Sequence, residues 1–146
     1  MNASPNWIKI LIIGGMSSFL ILIVLPIAVL QALNPANQIE KANNFKRRTD
    51  LTHLYTAIQT YSKEHDNQLP PGINTTMKKI STRQLNLCPL FLPAYLPKLP
   101  SDPQINSSIT DCSTPYNTGY EVGIDSVGHL VLKAPLATTT TPITVP

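Results

Sequence analysis

The chain has 146 residues, 42% of them hydrophobic, with 14 prolines, two cysteines and a formal net charge of +3. With an apolar N-terminal stretch and a Thr/Pro tail set aside, about 100 residues remain, which bounds the rest to one small domain with a modest core. A charge of +3 permits attraction to anionic lipid or nucleic acid and requires neither.

Residues 1–9 form a short leader or flank. From Ile10 to Leu30 the sequence is apolar except for Gly14, Gly15, Ser17, Ser18 and Pro26, and no ionisable side chain falls between Lys9 and Glu40. About twenty helical residues cover the roughly 30 Å hydrocarbon core of a bilayer, so a transmembrane helix is predicted over residues 10–33. A secretory signal peptide is the competing reading, but its apolar core runs only roughly 7 to 15 residues before a small-x-small cleavage site. The run here is longer and passes Pro26 and Ala28 without a convincing site. Gly14, Gly15, Ser18 and Pro26 are the candidate packing positions in the membrane, where small residues let helices approach closely.

An amphipathic helix is predicted over residues 34–65. Its apolar stripe starts at Ile39 and Ala42, passes Phe45, and continues through Leu51, Leu54, Tyr55, Ile58 and Tyr61, with Arg47, Arg48, Asp50 and His53 elsewhere around the helix. Pro35 is compatible with a helix's first turn, so the two helices read as nearly continuous. Residues 66–118 are rich in Pro, Asn and Ser and read as a long loop; within it, prolines at 89, 93 and 97 allow only a short helical turn followed by extended chain. Residues 119–136 read as a β-hairpin, with Tyr120, Val122 and Ile124 on one face and a turn at Ser126-Val127-Gly128. A lone hairpin is marginal in water, so this face is expected to pack on Leu51, Leu54 and Ile58. Residues 137–146 hold Thr, Pro and small apolar side chains and are expected to be disordered.

Cys88 and Cys112 belong to no CxxC or Cys/His cluster. In an oxidising compartment they suit a disulfide, whose closed loop of about 23 residues would stabilise the domain by roughly 3 kcal/mol; two buried thiols are the other reading. Lys41, Lys46, Arg47 and Arg48 follow the apolar run and, counted literally, would place the domain in the cytoplasm. Most of that cluster lies more than ten residues past Leu33, and the cysteines and the tail favour export, so the expected orientation is N-terminus cytoplasmic and C-terminal domain extracytoplasmic or extracellular. Asn74-Thr75-Thr76 and Asn106-Ser107-Ser108 match the N-glycosylation acceptor, which has meaning only in a suitable exported host.

Three stretches carry a resemblance: Leu33 to Gln38 followed by Lys46-Arg47-Arg48-Thr49-Asp50-Leu51 and Tyr61; Leu92-Pro93-Ala94-Tyr95-Leu96-Pro97-Lys98-Leu99-Pro100-Ser101-Asp102-Pro103; and Tyr120 to Leu132. The chain resembles type IV pilin-like proteins and type II secretion pseudopilins, the major pseudopilins above all, over about residues 7–133, and the Asp-Pro-ended run is the most specific of the three. The resemblance implies an α+β fold in which a long N-terminal transmembrane and amphipathic helix packs on a small antiparallel sheet. It also implies a structural or accessory subunit of a pilus or pseudopilus-like filament, with the lipid bilayer, other pilin-like subunits and secretion-system inner-membrane components as partners. Pilin precursors carry a basic leader ending in Gly and then a Phe-Thr-Leu-Ile-Glu-like start. Aligning Pro26 with that family's membrane-helix proline puts Ser4 in place of the glycine and Lys9 in place of the glutamate. Lys9 can reach the headgroups, so an uncleaved single-pass anchored binding domain that does not polymerise is the alternative, with a DNA-uptake pilin as a further one.

No catalytic motif stands out: there is no Gly-x-Ser-x-Gly elbow, no Ser-x-x-Lys and no Cys/His pairing, so an enzyme is not expected. His53, His65 and His129 share no ligand spacing, and no metal site or cofactor is expected from them. The resemblance brings in calcium, which would need Asp102, Asp111, Glu121 and Asp125, although a tight acidic Gly-rich loop is missing. Lys78, Lys79 and Arg83 are the candidate anion or nucleic-acid contacts, with Tyr55 and Tyr61 as stacking partners; scattered cations argue against nucleic acid as the main partner.

Overall fold

The computed structural model describes residues 35–105, 108–137 and 143–145. The predicted membrane span 10–33, with Gly14, Gly15, Ser18 and Pro26, lies outside the described residues, as do Ser4, Lys9, Asn106 and Ser107. Contacts divide the chain into Met1–Ile39 and Glu40–Pro146. The second unit holds the sheet and the core.

Helix α1 runs Pro35–Glu64. Proline suits the first turn because its missing N–H would have no helical partner there. Four threonines on the exposed face, Thr49, Thr52, Thr56 and Thr60, donate their hydroxyls to the carbonyl one turn back, at 2.9–3.2 Å. The helix ends where Asp66 and Asn67 turn to φ of 52° and 62° and Asn67 N–H closes on Ser62 O at 2.9 Å. Asp and Asn are the non-glycine residues that tolerate this left-handed geometry best.

Four strands follow: β1 Lys78–Ser81, β2 Asn117–Ile124, β3 Leu130–Ala134 and β4 Ile143–Val145. They form one antiparallel sheet in the order β1-β2-β3-β4. The β2–β3 register pairs Val122 with Leu132 and Ile124 with Leu130. At the connecting turn the Asp125 carboxylate accepts from Val127 N and His129 N at 2.9 and 2.8 Å. These bonds, with His129 nearby, hold the Asp125 carboxyl below the usual carboxylate range.

Leu51, Leu54 and Ile58 are fully buried and share one core with Ile80, Tyr120, Val122 and Leu132. Burying each aliphatic side chain of this kind contributes about 1.5–3 kcal/mol, so the stripe on α1 is what turns a marginal sheet into a stable domain. Tyr55 and Tyr61 lie partly buried against that core, which accounts for them without a stacking ligand.

Several expectations are corrected. The α+β arrangement of a helix on a small antiparallel sheet is present, but the long transmembrane and amphipathic helix is not: among the described residues α1 spans only Pro35–Glu64, and no helix is long and apolar enough to cross a membrane. The sheet has four strands where the sequence offered a two-stranded hairpin. The polar residues of α1 make it a surface helix, buried only along one stripe. That stripe does not begin at Ile39, because Ile39 and Phe45 are 60% and 73% exposed and the buried positions start at Arg47. The region 66–118 is not a plain loop. It supplies the unexpected strand β1, together with the expected short helical turn, here called α2, Cys88–Phe91. The tail 137–146 is not wholly disordered either, since Ile143–Val145 pairs with β3 and Ile143 is buried. Its β-branched residues suit an edge strand.

Candidate functional site

The most constrained part of the molecule is a polar centre inside the core. Arg47 follows the same helical spacing as Leu51, Leu54 and Ile58, so it points inward with them and is 0% exposed. Its guanidinium donates from Nε and Nη2 to the two Asp102 oxygens, at 2.7 and 3.1 Å, and from Nη1 to Asn44 Oδ1 at 2.8 Å. Asp102 is equally buried, and its hydrogen bond raises the Arg47 pKa above the ordinary value. Bidentate pairing of this kind is the geometry in which a buried guanidinium is tolerated.

One helical turn on, Asp50 accepts from the Tyr120 hydroxyl at 2.7 Å and pairs with Lys46, whose ammonium also reaches Ser101 O at 3.2 Å. Burial first, and the bond to Asp50 second, push the Tyr120 phenol up, so it remains a donor. The segment 101–105 is thereby tied to α1 and, through Asp102 N to Thr118 O at 2.7 Å, to β2. Gly119 sits at φ +77°, where any other residue is strained, and a Cβ there would lie 2.5 Å from Ile105 Cδ1 and 3.0 Å from Asp102 Cβ, so a side chain would also crowd the segment that holds Asp102.

Cys88 and Cys112 form a disulfide with Cα atoms 5.6 Å apart. Cys88 is fully buried and its N–H donates to the Tyr116 hydroxyl at 3.1 Å. The bridge therefore pins the strand-free stretch before β2 to α2.

Among the described residues, three open clefts bear on the candidate side chains. One, of about 350 Å³, lies between α1 and residues 94–96 and includes His53, Thr60, Glu64 and Tyr95. There the Tyr95 hydroxyl donates to Glu64 Oε2 at 2.6 Å, which raises the phenol to about 12. A raised phenol keeps this bond intact below its ordinary range and loses it as the pH climbs through about 12. Glu64→Gln is expected to return the Tyr95 titration toward 10, read as a shift in the ultraviolet phenolate titration against the parent protein. A second cleft, of about 440 Å³, is lined by Lys46, Asp50, His53, Lys98 and Ser108 among others. The third, of about 410 Å³, is lined by Lys79, Ser81, Thr82, Arg83, Tyr116 and Asn117 among others.

No family model, no curated protein and no solved structure matches this chain. The candidate residues read from the sequence are placed as follows. Lys78, Lys79 and Arg83 do not act as a trio: Lys78 Nζ donates to Gly72 O at 2.8 Å, whereas Lys79 and Arg83 share the third cleft. Asp102, Asp111, Glu121 and Asp125 are not assembled into a calcium site. Asp102 is committed to Arg47, Asp111 caps Ser113 and is held low by it, Asp125 caps the β2–β3 turn, and Glu121 lies within β2. Among the described residues no group of three or more His, Cys, Asp or Glu could hold a metal ion. His65 stacks on Tyr61 with ring centroids 3.9 Å apart, His129 lies 3.5 Å from Asp125, and His53 lines two clefts. Asn74 is exposed, and its side-chain oxygen accepts from Thr76 N at 3.0 Å. The sequence reading places Arg47 and Asp50 elsewhere around the helix from the apolar stripe, whereas the structure buries both in this polar centre. The signal was present in the spacing of Arg47 to Leu51, Leu54 and Ile58.

Proposed function

We propose that the chain is a structural or accessory subunit of a type IV pilus or type II secretion pseudopilus-like filament. Its uncharged stretch from Ile10 to Leu30 is held in the membrane and its disulfide-bonded unit lies outside the cytoplasm. The observation that carries this reading is the Arg47–Asp102 ion pair. It joins in one buried contact two of the three stretches that bear the family resemblance, the Lys46-Arg47-Arg48 turn and the run ending in Asp102-Pro103. A disulfide persists in oxidising compartments, which supports export. The exposed Phe45, two residues ahead of the first buried position of α1, offers an apolar contact to a neighbouring subunit.

The test is shearing of cells that express the native protein, with Gly14→Leu and Phe45→Gln compared. The protein is expected in the sheared high-mass fraction, and both substitutions should deplete it there. Phe45 is exposed, so its replacement should leave domain stability within about 0.5 kcal/mol. Detergent-soluble monomers in every case would overturn the reading in favour of an anchored module that does not polymerise.

A further inference from the structure

We infer that the cleft between the β1 turn and residues 115–117 is a binding site for a phosphoryl group. Lys79 and Arg83 both line it, and among the described residues neither side chain makes an ion pair. No carboxylate is found in its walls; the other residues are Ser81, Thr82, Gln84, Pro115, Tyr116 and Asn117. Glu121, the cross-strand neighbour of Lys79, is not among the walls and forms no ion pair with it.

The donors outnumber the acceptors. The Ser81 hydroxyl accepts from Gln84 N at 3.3 Å and keeps its own proton to give. Asn117 Oδ1 is occupied by Gly119 N at 3.0 Å, which leaves the amide N–H₂ group to face a ligand. Two cations, a hydroxyl and an amide together match a tetrahedral oxyanion, which carries several acceptor oxygens and no obligatory donor. Both cations are exposed and hydrated, so a neutral ligand gains no ion pairing from them whereas an oxyanion does.

The turn that carries Arg83 is also fixed in advance. Ser81 N donates to Leu85 O at 3.0 Å, Thr82 N to Tyr116 O at 3.2 Å, Tyr116 N to Thr82 Oγ1 at 2.9 Å, and Lys79 N to Gln84 Oε1 at 2.8 Å. The register shift between Lys79 and Ser81 bends β1 where these two residues meet the cleft. Bulges re-aim side chains in this way, and a pre-formed frame lowers the ordering cost of binding. The cleft volume, about 410 Å³, exceeds that of a phosphoryl group, free or as part of a phosphodiester.

The site does not depend on polymerisation, so its test uses the full-length chain in nonionic detergent micelles. Isotope-labelled protein is titrated with inorganic phosphate and, in a separate arm, with a glycerol phosphodiester, at constant ionic strength set by chloride. The expected result is saturable movement of the backbone amide signals of residues 79–84 and 117 in at least one arm, and the tighter arm identifies the source. Lys79→Gln and Arg83→Gln should each weaken binding by about tenfold or more, while Lys98→Gln, an equal loss of charge in another cleft, should not. The absence of saturable movement in both arms would overturn the inference. So would equal weakening by Lys98→Gln, which would mean diffuse attraction and no built site. Arg83 and Lys79 are exposed, so their variants should retain the parent fold, checked by the unchanged remainder of the spectrum.

Discussion

Asp102→Ala should lower the stability of the Glu40–Pro146 unit by about 3–5 kcal/mol, the loss that follows when one partner of a buried ion pair is removed and the other stays behind. Arg47 is 0% exposed, and of its side-chain hydrogen bonds to Asp102 and Asn44 only the one to Asn44 would survive. Since whole domains are stable by roughly 5–15 kcal/mol, the variant is expected to be partly unfolded at growth temperature. Urea denaturation of the disulfide-intact protein measures the effect as a fall in the transition midpoint at constant slope. The combined Arg47→Met, Asp102→Leu variant should recover most of the loss, because apolar replacements of both partners remove the uncompensated charge. A fall below about 1 kcal/mol for Asp102→Ala would mean that Arg47 reaches water and that the pair acts as a surface contact.

Replacing both Cys88 and Cys112 with alanine should cost about 3 kcal/mol, the chain-entropy value for closing a loop of their separation. The separation in sequence is 24 residues. The damage should be local before it is global. Hydrogen exchange is expected to accelerate first at Ile109, which pairs with Leu99, and at Tyr116, which bonds Thr82, because the bridge holds this stretch against α2. Exchange rates unchanged at those amides, with the midpoint unmoved, would show that the packing of Tyr116 holds the segment without the bridge.

Much of the core could be read from residue spacing alone. Leu51, Leu54 and Ile58 recur at helical intervals and Tyr120 and Val122 alternate, and all five are buried together. The sequence left two readings open for the cysteines, a bridge or two buried thiols, and the bridge is the one present. Arg47 was misread because a charged side chain was placed by its type and not by its phase on the helix; a cation buried this deeply needs a carboxylate from 55 residues away, which no local pattern reveals. Strand β1 offered only Ile80 as an apolar residue between Lys79 and Ser81, so its period was too weak to register. Strand β4 hid in a Thr/Pro tail whose composition suggested disorder, although Ile143-Thr144-Val145 is a β-branched run. Strand β1 is stabilised by neighbours far along the chain, Glu121 and Val122, whereas β4 pairs with the strand just before it, at Leu132 to Ala134.

The place of β4 at the margin of the sheet gives the C-terminus a protective duty. Its three residues cover the hydrogen-bonding edge of β3, a strand whose Leu130, Leu132 and Ala134 are all buried. A chain shortened before Ile143 would present that edge bare, and bare edges recruit strands from other molecules. Strand β4 thus guards the edge of β3 against indiscriminate self-association, and expression of this protein is best attempted with Ile143–Val145 retained.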